Sequence, residues 1–220
     1  MTDITIDFAR GPKRVALVVR GKMGPAHHPG AMEQHADAIL SDGSPIGFFG
    51  EGNDGSLNSA GLGMKGVVYD YAQLRRKRRP YVDLDSAVAY GVVSTVLVID
   101  VTNDQATKFD HYWTYLSGNP GSFNIVGGNC SSNASDSFMA AGILKDSIPW
   151  LDTPDNLYQQ LTDRKPAGGS QSHTGYLGFN KKDTGGYVLV IRPYKLDPKV
   201  NTPDAQARGR SGSLGSGGST

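Results

Sequence analysis

The sequence predicts an α+β domain, and three observations carry that expectation. Residues 14–20, RVALVVR, and 92–101, VVSTVLVIDV, are β-branched apolar runs bounded by turn or capping residues, the pattern of buried strands. Residues 35–55, HADAILSDGSPIGFFGEGNDG, set two apolar segments around Ser41-Asp42-Gly43-Ser44, whose Asp-Gly marks a hairpin. The segment DQATKFDHYWTYL carries Ala106, Phe109, Trp113 and Leu116 at three- and four-residue steps, the spacing of an amphipathic helix.

The elements follow in order. The strand at 14–20 closes at GKMGP, and PAHHPGAMEQ, 25–34, reads as a loop before the hairpin. Residues 53–66, rich in Gly, Asn and Ser, read as a long surface loop, and VVYDY, 67–71, as a strand. The run RRKRR, 75–79, reads as a solvated face or loop, with an anionic contact site as the sharper alternative. After the strand at 92–101, Thr102-Asn103-Asp104 caps the amphipathic helix, and Asn119-Pro120-Gly121-Ser122 ends it. The segment FNIVGGNCSSNASDSFMAAGI, 123–143, predicts a helix with Ala134, Phe138 and Ala141 on one face and a stop at Gly142. A short helix is expected at 153–162, with Thr153 as cap and Pro154 at the first helical position. A polar loop then leads to a last strand, GGYVLVIRPY, 185–194. Residues 198–220 end GRSGSLGSGGST and read as a disordered Gly/Ser-rich tail, which leaves one domain over 1–197.

Composition narrows the function classes. Lys and Arg (22) nearly balance Asp and Glu (21), so net charge points to neither a nucleic acid nor a membrane partner. One cysteine rules out an internal disulfide and any cysteine-based metal cluster within the chain. No run approaches the roughly 18 apolar residues of a membrane span. MTDITIDFARGPKR lacks an apolar h-region, so the expectation is synthesis as a soluble chain without a classical secretory signal.

That single cysteine, Cys130, stands where a helix begins. Unpaired N–H groups and partial positive charge at a helix start favour a thiolate, and the same N–H groups suit an oxyanion. Asn129 is a candidate cap or a further oxyanion donor, and Gly127-Gly128 lets backbone approach a substrate. The bland alternative is a small buried apolar group. A catalytic cysteine needs a histidine base, itself oriented by a third group. Of five histidines, His111 falls in the amphipathic helix, His173 in an exposed QSHTG loop, and His27 and His28 in a Pro/Gly loop. His35 opens the strand HADAIL, a rigid platform for a base. A metal held by His27, His28 and His35 is a competing reading whose spacing fits no known motif. No metal and no cofactor is expected.

The order HADAILSDGSPIGFFGEG, VVSTVLVIDVTNDQATKFDHYWTYL, NPGSFNIVGGNCSSNASDSFMAAGI, TPDNLYQQL resembles the circularly permuted branch of the papain-like NlpC superfamily over about residues 33–162. There a histidine strand precedes the cysteine helix. Lecithin retinol acyltransferase-like proteins share the layout. The resemblance implies an antiparallel sheet packed against helices, with Cys130 as nucleophile and His35 as general base. The third polar residue usually lies on the strand paired with the histidine strand. If Asp42-Gly43 centres the turn, Leu40 faces Pro45, His35 faces Gly50, and Glu51 stands next to the histidine as orienter. Asp37, two residues along the same strand, is the rival.

The resemblance further implies a cysteine peptidase or amidase acting on peptides of bacterial peptidoglycan. It also suggests an antibacterial effector carried by a contact-dependent system such as type VI secretion. Such an effector would act in the target-cell periplasm as a monomer and meet a dedicated immunity protein. Two alternatives stay open: an acyltransferase or thioesterase on the same pair, and a binding module with a buried cysteine.

Overall fold

The computed structural model describes residues 2–21, 34–52, 57–58, 63–124, 127–145, 153–163 and 168–194. In chain order they form β1 (Ile4–Asp7), β2 (Arg14–Arg20), β3 (His35–Ile39), β4 (Pro45–Glu51), β5 (Leu57–Asn58), β6 (Met64–Tyr69), α1 (Tyr71–Lys77), a 3-10 turn (Arg79–Tyr81) and α2 (Leu84–Ala89). Then come β7 (Val93–Asp100), α3 (Asn103–Gly118), β8 (Ser122–Phe123), α4 (Cys130–Ala140), α5 (Pro154–Asp163), β9 (Ser170–Lys181) and β10 (Tyr187–Pro193). The class is α+β, as expected. The strands make one antiparallel sheet in the order β1-β10-β9-β7-β2-β3-β4-β6-β8, with β5 on β4.

Both faces of the sheet are covered, which is why β2 and β7 read as continuous apolar runs. On one face Val15, Leu17 and Val19 of β2, Ala36 and Ala38 of β3, and Phe48 of β4 meet Phe109 and Trp113 of α3, Phe138 of α4 and Leu157 of α5. On the other, Ala16, Val18, Ile39 and Phe49 meet Leu74 of α1, Tyr81, and Leu177, Leu189 and Ile191 of β9 and β10. β10 reaches that face because the sheet curls. The Tyr187 N–H donates to the Asp42 carbonyl at 2.9 Å, bringing β10 onto the tip of the β3–β4 hairpin although several strands separate them in the sheet.

The helix signals match the capping geometry. The Thr102 hydroxyl accepts from the Gln105 N–H while Gln105 reaches back to Thr102, a reciprocal cap on α3. Thr153 accepts from the Asn156 N–H at the start of α5. Past α4, Gly142 takes φ +67°, the left-handed conformation that closes a helix.

Several elements differ from expectation. The hairpin loop has three residues rather than two. Leu40 N–H donates to Ser44 O, Gly43 N–H donates to Leu40 O, and Gly43 sits at φ +86°. Ile39 therefore pairs with Pro45, and the register is one residue away from the expected one. The polar loop expected before the last strand is instead β9, which pairs with β7 and β10. Its first half carries polar residues because that end of the strand lies exposed. His173, expected in an exposed loop, pairs with Val96 in this strand and is half-buried. RRKRR runs from the last turn of α1 into the 3-10 turn, where Arg75 and Arg79 meet Asp83. Within the expected loop at 53–66, residues 57–58 form β5 and β6 starts at Met64. The tail at 198–220 lies outside the described residues. No helix among the described residues is long and apolar enough to cross a membrane.

The contact between the hairpin tip and β10 gives a direct test. A Cβ on Gly43 would overlap the Tyr187 carbonyl oxygen, whereas one on Gly185, also left-handed at φ +89°, would meet nothing within 4 Å. Gly185→Ala should cost the conformational strain alone, about 1–2 kcal/mol. Gly43→Ala should cost clearly more, read as the lower midpoint of the two in urea unfolding.

Candidate active site

The site is assembled from two neighbouring strands and one helix start. Arg20, the last residue of β2, is the register partner of His35, the first residue of β3. Side chains two apart on a strand share a face, so Asp37 joins His35 on that face. The Asp37 carboxylate is divided between them. Oδ1 lies 2.9 Å from His35 Nε2, and Oδ2 accepts from Arg20 Nε. All three are sealed from water, at 1%, 1% and 0% exposure for Arg20, His35 and Asp37. Phe49 of β4 stacks flat on the imidazole, with centroids 4.3 Å apart and planes at 19°. The Arg20 guanidinium lies 4.0 Å above the Tyr81 ring.

Cys130 is the first residue of α4 and is 5% exposed. The Asn129 side-chain oxygen accepts from the Ser131 and Ser132 N–H groups at 2.9 Å each, which pins the helix start. Of the two roles expected for Asn129, the cap is the one this geometry displays. Ser131 Oγ lies 3.9 Å from Cys130 Sγ, and the Ala36 backbone N–H is directed at the sulfur.

These contacts decide the charge states. Burial alone would push the Cys130 thiol up; the neighbouring His35 charge, then the Ala36 N–H and Ser131 hydroxyl, bring it below the ordinary thiol value. Burial alone would push His35 down; the charges of Cys130 and Asp37 overcome it and raise the imidazole to about 10. Burial likewise works against the Asp37 carboxylate, and Arg20 and His35 hold it low. These interactions favour thiolate, imidazolium and carboxylate over their neutral forms, the imidazolium up to about pH 10.

The structure thus brings together Cys130 and His35, with Asp37 as the group on the imidazole. Glu51 is elsewhere: it pairs with Leu57 of β5 and Lys65 of β6. The one-residue change in register is the reason. Extending the β3–β4 pairing puts Phe49, not Gly50, across from His35, consistent with the ring stack. His111 is exposed on α3. His27 and His28 lie outside the described residues, and no group of three metal-ligating side chains occurs among the described ones.

Three residues escaped the sequence reading. Arg20 looked like a strand end, and only the β2–β3 pairing brings it to the histidine. Gly47 sits opposite Asp37, where a Cβ would overlap Asp37 Oδ1. A glycine inside a strand pattern does signal close approach, and β4 carries two, Gly47 and Gly50, so Gly47 was findable as one of them. Gln34, buried beside His35, has neither amide atom bonded among the described residues. Comparison with protein-family models, with curated proteins and with solved structures finds no match.

Gly47 yields a prediction. Gly47→Ala should displace Asp37 from His35, so the imidazole loses a neighbouring negative charge. Cys130 should then become harder to ionise. In wild type, iodoacetamide should alkylate Cys130 with an apparent pKa below the free-thiol value of about 8.5. In Gly47→Ala that midpoint should rise by about one unit, which cuts the rate about tenfold at pH values well below the wild-type midpoint. An unchanged midpoint in a folded variant would show that Asp37 does not set the thiol's charge.

Proposed function

We propose that the protein is a cysteine hydrolase, a peptidase or amidase on a permuted papain-like domain, with Cys130 as nucleophile and His35 as general base. The observation that carries this reading is the Cys130–His35–Asp37 chain at the start of α4, with His35 Nε2 held at 2.9 Å by Asp37. That bond occupies one ring nitrogen and leaves Nδ1, which has no hydrogen-bond partner among the described residues, to exchange a proton with the thiol. Asp37 then has the orienting role first expected of Glu51.

The chemistry follows from these positions. Cys130 gives its proton to His35, and the thiolate attacks an amide carbonyl carbon. The Ser131 and Ser132 N–H groups are taken by the Asn129 cap. The Cys130 N–H, at the first helical position, is then the donor for the oxyanion. The tetrahedral adduct collapses as the C–N bond breaks, and the amine leaves with the proton from His35. Water, deprotonated by His35, hydrolyses the thioester and restores the thiol.

The sequence resemblance supports peptide amides of bacterial peptidoglycan as the substrate class. It also supports the role of an antibacterial effector delivered by a type VI-like system into the target-cell periplasm, with an immunity protein as partner.

Digestion of purified peptidoglycan sacculi, with fragments read by mass spectrometry, tests the reading. Wild type should release new peptide fragments. Cys130→Ala and His35→Ala should each lose about a thousandfold or more in rate, since nucleophile and base act as a unit. Undigested sacculi with a Cys130 that still alkylates fast would move the substrate to protein or lipid. An inert Cys130 that reacts only on unfolding would end the enzyme reading.

A further inference from the structure

We propose that Arg20 is a positioning residue: from the neighbouring strand it fixes the Asp37 carboxylate against His35 and so governs the reacting pair at one remove. The inference rests on the reading of Cys130 and His35 as that pair.

Geometry comes first. Arg20 and His35 are direct partners across β2 and β3, so Asp37 lies on the diagonal from Arg20, within reach of a long side chain. One carboxylate oxygen faces each of them, and the carboxylate cannot rotate without breaking one contact. The Arg20 plane is itself held by Tyr81 at 4.0 Å. Gly47 removes the side chain that would otherwise occupy the Asp37 position.

Electrostatics gives the arrangement its purpose. A fully buried carboxylate without a cation takes up a proton. A neutral Asp37 would no longer favour imidazolium, and a neutral His35 would no longer favour thiolate. The groups around the chain are few. Ser94 of β7 stands opposite Arg20, Tyr69 of β6 packs on Phe49, and Arg78 lies 5.6 Å from the Phe49 and Tyr81 ring centres. The ion pairs of Asp37 among the described residues are with Arg20 and His35.

The test reads titration rather than activity. Cys130 alkylation by iodoacetamide is followed from pH 5 to 10 in wild type, Arg20→Met, Arg20→Lys, Asp37→Asn and His35→Ala. Histidine-labelled samples report the His35 ring by 15N NMR. Arg20→Met should raise the thiol midpoint and lower the imidazole midpoint, slowing alkylation at pH 7 by at least tenfold. Arg20→Lys, which keeps a charge, should recover part of the change. Arg20 acts only through Asp37, so Arg20→Met combined with Asp37→Asn should titrate like Asp37→Asn alone. That comparison remains decisive if Arg20→Met by itself does not fold. A wild-type profile in folded Arg20→Met, or a further shift in the double variant beyond Asp37→Asn, overturns the inference while leaving the Cys130–His35 pair intact. If His35→Ala also leaves the thiol midpoint unmoved, the pair itself is not coupled and both readings fall.

Discussion

The site hangs on one constraint: the Asp37 carboxylate is fully buried and ionised, and such a group is tolerated only when its charge is answered on the spot. Much of the local structure meets that demand. The β2–β3 register delivers a guanidinium to one oxygen and an imidazole to the other. Gly47 leaves room across the hairpin. Phe49 and Tyr81 cover the charged groups with ring faces and so keep the interactions in a poorly screening medium.

Magnitudes say which effect governs the thiol. A helix terminus contributes about 0.3–1 kcal/mol to a neighbouring charge, less than one pKa unit at about 1.4 kcal/mol. The helix start alone therefore cannot offset the burial that opposes a thiolate at Cys130. The imidazolium is the largest favourable influence on it. The helix contributes position: its cap by Asn129 sets where the sulfur stands relative to β3.

What was legible in the sequence divides by the range of the interaction that encodes it. Caps and periodicity are local, so α3, α4 and α5 and the strands β2, β7 and β10 were readable from Thr102, Gly142, Thr153 and the apolar runs. The places of Cys130 at a helix start and His35 at a strand start were readable from local signals, whereas the choice of His35 as base came from the family resemblance. The partner of His35 was not settled, because it depended on the loop size at Asp42-Gly43. An Asp-Gly pair serves both a two-residue turn and a three-residue loop with a left-handed glycine, and the two differ by one residue in register. β9 was missed because a strand half exposed along its length lacks the alternation that marks a strand covered on one face throughout. Arg20 was missed because its role exists only across a strand pair.

The pairing of β1 with β10 has a consequence for the order of elements along the chain. Ile4 lies directly across from Ile191, and the two strands run in opposite directions, so Pro193 and Ile4 stand at the same edge and the same end of the sheet. A turn of a few residues would join them as an ordinary hairpin. Among the described residues, the elements from β1 to β10 are thus arranged close to a ring, and a ring has no first element. Whether the histidine strand or the cysteine helix is met first along the chain then reflects only where the ring is cut. The sheet register and the helix cap that bring His35 and Cys130 together are indifferent to that choice.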